Sequence, residues 1–597
     1  MNYPVWYLPE IGGGALIALI AVVHVFVSHF AVGGGLYLVL AERKGIRAND
    51  QGILDFTRKH TKFFLLVTMV FGGLTGVAIW FIISLVQPAG TSFLIHTFVF
   101  GWATEWVFFL VEIVALFIYF YTFGRMDHRN HQIIGWIYFI AAWVSLFIIN
   151  GIIDFMLTPG GWLQNGSFWA GFFNPTFWPS LFFRTFVALM MAGSYAFVTT
   201  AFVKDASLKR TMTVFSGKWV LGALLAALPS GLWYVAVLPQ PAMALVKGSS
   251  PTIARALSWG TWAVVGILIV SLLLTLTKPA RHNIIYATVV MVCAFLFMGS
   301  FEWTREGARR PYVINEVMYS NGIFKQDVER LNAEGFLQNA KWVRIQEFHE
   351  ESLLEIGQDL FKNQCYACHT IGGFNNDIVP RTATMSFPVL VSYLETIHDR
   401  RYFMPPVAGS PSELRALATY IYSGLQGKPV EETVLPTTEA GQMSPGEQLF
   451  NDNCVFCHEA ALIKTKTADW SRERIRQGMD NLSGLNPAMP DFYGSDEEKE
   501  QLSDFILALN APASQVVGAQ HHPGETVFET HCSMCHSLRA DYNPLLPKID
   551  GWERSRLRQA LDRLDSLNPA MPPLQASDEE KDALADYLME ESREVQR

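Results

Sequence analysis

Three times in this sequence a Cys-x-x-Cys-His run occurs: Cys365, Cys368 and His369; Cys454, Cys457 and His458; Cys532, Cys535 and His536. Two thiols at that spacing can each form a thioether to a haem vinyl group while the adjoining imidazole faces the iron, which is the pattern of covalent haem c attachment. One Cys-x-x-Cys alone also serves zinc or dithiol chemistry. Three copies, each with its His, point to haem. The seventh cysteine, Cys293, falls in an apolar run and reads as a small buried hydrophobe. A second set of reactive side chains sits where charge is costly. His24, His29, His96, Glu105, Glu112, Asp154, Glu302 and Glu306 all fall in or at the ends of long apolar stretches. An ionisable group in hydrocarbon is retained when it is paired, hydrated or bound to a metal. Each taken singly has an ordinary reading as a hydrogen-bonded interior group; as a set they favour a redox centre.

Elements of two kinds must hold these residues. The chain has 597 residues and changes character near Glu306, from long apolar stretches to a mixed, charged sequence. Apolar runs at 11–41, 63–86, 94–123, 133–157, 180–203, 217–238, 258–277 and 283–303 are each long enough to cross ~30 Å of hydrocarbon as a helix. Packed in series inside a soluble protein they would need a core beyond the usual domain limit. Lys and Arg crowd loops one, three, five and seven (Arg43, Lys44, Arg47, Arg58, Lys59 and Lys62 in the first), whereas loops two and four have none and loop six only Lys247 and Arg255. The positive-inside rule then puts the N-terminus and, after eight crossings, the tail outside the cytoplasm. No cleavable leader is expected, because the start lacks a basic n-region.

The tail repeats. A Gly stands eight residues before each first Cys (Gly357, Gly446, Gly524) and a Phe four before it (Phe361, Phe450, Phe528), which predicts a short helix leading into each site. A Met-Pro step follows at Met404, Met489 and Met571. Ser495 with Glu498, and Ser577 with Glu580, read as capping boxes for a last helix in which Phe505 and Tyr587 match Tyr420. Stretches near 426–443 and 511–523 are rich in Pro, Thr, Ala and Gln and suit tethers; His521 and His522 lie in the second.

These three units resemble class I cytochrome c domains. The resemblance implies Met404, Met489 and Met571 on the iron opposite His369, His458 and His536, a soft thioether raising the potential relative to a second His. The membrane part resembles a known family too. ALIALIAVVHVFVSHFAVGGG, FVFGWATEWVFFLVEIVALFIYF, GFFNPTFWPSLFFRTF and EWTREGARRPY are similar to the four landmark regions of subunit I of cytochrome bd oxygen reductases. That resemblance implies His24 and Glu306 as ligands of paired high-spin haems, Glu105 and Glu112 beside the oxygen site and its proton path, and Arg309 as a haem propionate partner. Two departures stand out. Arg184 occupies the place of the low-spin haem b ligand and cannot ligate iron, so that haem is expected to be missing. The loop between spans six and seven, long in quinol-oxidising members, is only about twenty residues here by the span boundaries. The chain also stops at eight spans rather than nine.

The expected fold class is therefore all-α: an eight-transmembrane-helix bundle followed by three small cytochrome c-type helical domains. The expected boundaries are 1–310 for the bd subunit I-like domain, 311–354 for a connecting segment, and 355–425, 443–510 and 521–593 for the cytochrome c domains. Expected cofactors are three covalently bound haem c and two b-type haems, one of which is either haem b or haem d. The function expected is a respiratory, bd-like oxygen reductase of the bacterial inner membrane, fed through c-type haems rather than by quinol. The alternatives are a non-catalytic electron conduit from a quinol-oxidising membrane partner to periplasmic cytochromes, or reduction of another small acceptor such as nitric oxide. Expected partners are a second integral membrane subunit and a periplasmic donor or acceptor cytochrome. The balance of 54 Asp and Glu against 45 Lys and Arg argues against nucleic acid.

Overall fold

The structure, a computed structural model, describes residues 3–383, 385, 387–430, 444–454, 460–468, 470–480, 482, 492, 494–510, 524, 527–528, 531–532, 538, 545–549, 551–564, 574 and 576–594. The chain forms two compact units, Met1–Thr433 and Val434–Arg597. In the first, eight helices are long and apolar enough to cross a membrane: α1 (Gly13–Ala48), α2 (Gln51–Val86), α3 (Val99–Thr122), α4 (His128–Phe155), α5 (Phe177–Ala201), α6 (Ala206–Ala236), α7 (Thr252–Thr277) and α8 (Ile284–Ala308). α1 and α2 outrun their apolar stretches because nothing in the charged segment between them breaks a helix until Asn49, which adopts a left-handed conformation, and Asp50, whose carboxylate caps Ile53 N–H at 3.1 Å.

α5 is the central helix and packs on α1, α4, α6 and α8. Its close approach to α1 depends on Gly33, whose missing side chain leaves room for the Ala188 carbonyl. The outward faces carry Leu225, Phe100 and Val77, all largely exposed. Large apolar side chains exposed along the helices suit hydrocarbon as solvent. One expectation is corrected here: the apolar run at 94–123 is interrupted at Phe98, so His96 belongs to a separate short helix, Pro88–Thr97, where it is exposed and bonds the Ser92 carbonyl at 2.7 Å.

After α8 the chain makes a small antiparallel hairpin, β1 (Tyr312–Ile314) and β2 (Met318–Tyr319). The following segment packs into the first cytochrome unit: Leu331, Phe336 and Leu337 share a core with Ile356, Leu360, Phe361 and Leu417. That unit is framed by α9 (Leu353–Leu360) and α10 (Pro411–Thr419). The second unit of the chain includes α11 (Pro445–Asn453), α12 (Arg472–Met479), α13 (Asp496–Asn510), α14 (Arg554–Leu561) and α15 (Asp578–Glu594).

The repeated Gly and Phe now have a shared cause. A Cβ on Gly357 would run into the Ala416 carbonyl and Tyr420 Cβ; on Gly446, into the Gln501 carbonyl and Phe505 Cβ; on Gly524, into the Ala583 carbonyl and Tyr587 Cβ. Each glycine is where the leading helix crosses the last one at backbone contact. One turn on, Phe361, Phe450 and Phe528 are buried against Tyr420, Phe505 and Tyr587, with ring centroids 5.9, 5.2 and 6.3 Å apart. The capping boxes form as expected: Ser495 N–H donates to Glu498 at 2.6 Å and Ser577 N–H to Glu580 at 2.7 Å. Ser410 and Glu413 form a third, and Glu413 also accepts from Phe336 and Leu337 N–H, each at 2.8 Å.

Candidate functional site

The first Cys-x-x-Cys-His run closes a tight turn in which Cys368 N–H and His369 N–H both donate to the Cys365 carbonyl, at 3.1 and 2.9 Å. Cys365 and Cys368 carry unbridged thiols. His369 Nδ1 donates to the Asn376 carbonyl at 3.1 Å, which fixes the tautomer and leaves the Nε2 lone pair free for a metal. Burial brings the imidazole down to about 4, so it is neutral and its lone pair is available. Gln364 ties the run to the Met404 loop: its amide donates to the Ala408 carbonyl at 2.7 Å and accepts from Ala408 N–H at 2.8 Å. This donor set fits a covalent haem. Cys454 and Cys532 end the equivalent leading segments; Cys457, His458, Met489, Cys535, His536 and Met571 lie outside the described residues.

In the bundle, α3 and α4 run antiparallel and their polar residues pair in a fixed register. Ser145 Oγ donates to Glu105 at 2.6 Å, and seven residues on, Tyr138 Oη donates to Glu112 at 3.1 Å. Seven further, the ring of His131 stacks on Tyr119 at 4.2 Å and its Nε2 donates to the Tyr119 carbonyl at 2.8 Å. Steps of seven are two helical turns, ~10.5 Å, so the three pairs share one helix face. The last pair is locked to α1. Glu42 shares a hydrogen bond with His131 Nδ1 at 2.6 Å and accepts from Tyr119 Oη at 2.8 Å and from Gln132 at 2.5 Å. Glu105 and Glu112 were legible as intramembrane carboxylates; Glu42, Tyr119, His131 and Tyr138 were not. The signal was the coincident seven-residue spacing on two neighbouring runs.

A second polar group gathers on α1, α4, α5, α6 and α8, and it is incompletely paired. Arg184, buried on α5, donates to Ser180 Oγ at 3.2 Å, lies 3.9 Å from Glu302 and sits over the Phe301 ring at 5.4 Å. One nitrogen of Arg184, one oxygen of Glu302, both oxygens of Asp154, the Tyr234 hydroxyl and His29 Nε2 are buried without a hydrogen-bond partner. His29 lies within electrostatic reach of Arg184 and Glu302. Arg305 bridges Glu302 and Glu306 at 2.9 and 2.6 Å, and Glu306 is also held by Arg309, which in turn donates to the Val313 carbonyl at 2.6 Å.

The expected pair His24 and Glu306 is not in mutual contact. His24 bonds Thr75 of α2 at 3.2 Å beside Gly76, and Glu306 is bound by arginines of its own segment. Among the described residues no three His, Cys, Asp or Glu side chains converge as a metal cage. Single histidines and carboxylates fit a haem, whose macrocycle supplies the other four nitrogen donors and leaves the protein one ligand per face.

Residues 15–238 match the family model of cytochrome bd terminal oxidase subunit I. Residues 352–421, 441–506 and 519–588 each match the model of cytochrome C oxidase, cbb3-type, subunit III. The chain joins a bd subunit I-like membrane domain to three cytochrome c domains. It is a multi-pass haem protein of respiratory electron transfer. Among solved structures, bd oxidase from Geobacillus thermodenitrificans is similar over 52% of this chain and 90% of that one, at 18% identity and a TM-score of 0.46. A search of curated proteins finds no match. The bd match ends at 238, so α8 with Glu302, Glu306 and Arg309 lies beyond it. The connection that follows, between α6 and α7 of the bd-like domain, is residues 237–251.

Proposed function

We propose that this protein reduces oxygen, or a small oxidant like it, at haem in the bd-like domain, using electrons that enter through its cytochrome c domains. The observation that carries this reading is the α3–α4 ladder. A wire moves electrons alone, whereas an oxygen reductase must also deliver protons. Glu42, His131, Tyr119, Tyr138, Glu112, Ser145 and Glu105 form a file of proton-exchanging groups along one helix interface. By the charge asymmetry of the loops, its Glu42 end lies on the cytoplasmic side and its Glu105 end toward the cytochromes.

Each residue then has a task. Cys365 with Cys368, Cys454 with Cys457, and Cys532 with Cys535 would hold three haem c, with His369, His458 and His536 and Met404, Met489 and Met571 as the iron ligands that give each haem its electron-transfer potential. His24 and Glu306 would hold b-type haem, one of the two either haem b or haem d. When bound, a high-spin haem with an open position supplies oxygen binding and reduction. Arg309 positions Glu306 and has hydrogen-bonding capacity left for a propionate, its Nε being unpartnered. Glu112 and Glu105 hold protons next to the site. The short 237–251 connection leaves no room for a long quinol loop. A second integral subunit, an outer-face position for the cytochrome c domains and a periplasmic redox partner complete the reading.

The test is a reduced-minus-oxidised spectrum with and without carbon monoxide on wild type, His24→Ala, Glu306→Ala and Glu112→Gln. A carbon monoxide shift in a b- or d-type band is expected in wild type. It should be lost or perturbed in the two ligand variants with all haem c retained. Glu112→Gln should keep its haems and lose turnover by about 10²-fold. A bundle without a carbon monoxide-reactive haem, or with all b-type haem retained in both ligand variants, leaves an electron conduit.

A further inference from the structure

The first cytochrome c domain meets the bd-like domain through the parts that would flank its haem. Two segments of the membrane domain make the contact. Ahead of α1, Leu8 N–H donates to the Tyr366 hydroxyl at 3.0 Å, the Pro9 carbonyl accepts from Ile371 N–H at 2.9 Å, and the rings of Tyr7 and Tyr366 stand 4.9 Å apart. Gly12 and Gly14 pass directly beneath: a Cβ on the first would lie 2.7 Å from Thr370 and on the second 3.2 Å from the Ala367 carbonyl. Tyr366 and Ala367 are the two residues between the haem-binding cysteines.

The hairpin after α8 supplies the other half. Ser320 Oγ lies 4.0 Å from Cys368 Sγ. The Tyr319 ring meets that of His398 at 5.5 Å, and His398 Nδ1 donates to the Met404 carbonyl at 2.6 Å. Asn321 donates to the Pro406 carbonyl at 3.3 Å. Three consecutive hairpin residues thus touch the Cys-x-x-Cys-His run and the methionine loop together. The hairpin is itself fastened to the bundle, because Gln87 donates to the Ser320 carbonyl at 2.9 Å and Arg309 to the Val313 carbonyl at 2.6 Å.

We propose that these two segments form a fixed seat that holds the first cytochrome c domain as the relay to the bundle, with Tyr366, Tyr319 and Asn321 as its positioning residues. A domain that merely followed its linker would rest on any face; this one is gripped at the thiol side and the methionine side of one haem by segments that run directly into α1 and out of α8. Gly14 is ten residues ahead of His24, ~15 Å along the α1 axis. Through the seat one electron is exchanged at a time, one iron going from ferrous to ferric as the other goes from ferric to ferrous, with no atom transferred. This rests on the proposal that α1 and α8 carry the bundle's haem ligands.

The test uses the full chain with Tyr366→Phe, which removes only the hydroxyl that Leu8 N–H bonds, and the pair Tyr319→Leu with Asn321→Ala, which releases the hairpin side. The first readout is hydrogen exchange of the Leu8 and Ile371 amides, which should be protected in wild type and exchange about tenfold faster or more when the three substitutions are combined. The second is the rate of electron exchange between haem c and haem b after rapid photoreduction, which should fall by about tenfold in the combined variant while haem c content and potentials hold. Unprotected Leu8 and Ile371 amides in wild type, or a combined variant that opens these amides yet keeps the wild-type transfer rate, would overturn the seat. A bundle found without haem b defeats the functional reading alone, because hydrogen exchange of the Leu8 and Ile371 amides still decides whether the seat exists.

Discussion

Charged residues do opposite kinds of work in the bundle and in the tail. Arg184, Glu302 and Asp154 are buried between helices, with part of their hydrogen-bonding capacity unused. In the second compact unit, Arg472 pairs with Asp504 at 2.6 Å, Arg476 with Asp496 at 2.8 Å and Lys499 with Asp480 at 2.8 Å. The third cytochrome c domain repeats the set as Arg554 with Asp586, Arg558 with Asp578 and Lys581 with Asp562. The geometries in the tail are the better ones, yet the surrounding water makes each pair cheap. Solvent, more than distance, sets what a charge is worth.

The largest effect should follow from Arg184→Ala. Glu302 would keep only Arg305 as a close cation, and the buried Asp154 would lose a favourable charge within electrostatic reach. Removing one member of a buried ionic group costs about 3–5 kcal/mol. Thermal unfolding in detergent should register that as loss of most of the bundle's margin, with the three haem c still attached. A change below about 1 kcal/mol would mean that the cluster is hydrated, and that bundle and tail do not differ as claimed.

Next comes Glu42→Gln. The carboxyl group makes three hydrogen bonds, two of them accepted from Tyr119 and Gln132, and is buried. An amide keeps the shape but turns one acceptor into a donor facing donors, at a cost of about 2–3 kcal/mol. If Glu42 also feeds Glu112, turnover should fall further than stability explains, and Tyr119→Phe, which removes one bond without charge, should separate the two contributions. Equal losses in stability and none in turnover would confine Glu42 to a structural role.

Gly446→Ala probes the tail by packing instead of charge. A methyl group there meets the Gln501 carbonyl and Phe505 Cβ, so the two helices must part, which costs about 1–3 kcal/mol. The melting of the second cytochrome c domain should drop with its haem still covalently bound. An unchanged melt would show that the crossing is looser than the glycine implies.

How much of this was readable beforehand follows the same division. In the tail the Gly, Phe, Cys-x-x-Cys-His and Met-Pro positions recur in a single order, and repetition exposes what one copy would hide. The crossings at Gly357, Gly446 and Gly524 were present as spacing before any helix was known. In the bundle, eight spans and the lone carboxylates Glu105 and Glu112 stood out because hydrocarbon tolerates few such groups. Tyr119, Tyr138 and His131 did not, since their meaning depends on the register between α3 and α4, a tertiary fact. The same holds for His96, removed from the third span by a break at Phe98, and for the tail's charges, whose pairing across helices depends on how those helices pack.

The smallest effect, and the sharpest check on the comparison, belongs to Arg554→Ala. Arg554 makes two hydrogen bonds to Asp586, a fork geometry as favourable as any in the molecule. Both partners are about half exposed, so water already solvates each charge in the folded state and competes for it in the unfolded state. The pair must also immobilise two side chains. The expected cost is small, and it should shrink further as salt is raised because exposed charges are screened over ~8–10 Å. Arg184 lacks that geometry, at 3.9 Å from its carboxylate, and is predicted to matter several times more. Unfolding midpoints for the two variants at low and high salt would rank them directly. If Arg554→Ala proved as damaging as Arg184→Ala, or if the effect at Arg184 were the one that salt abolished, geometry would outrank solvent and the account of both regions would have to be inverted.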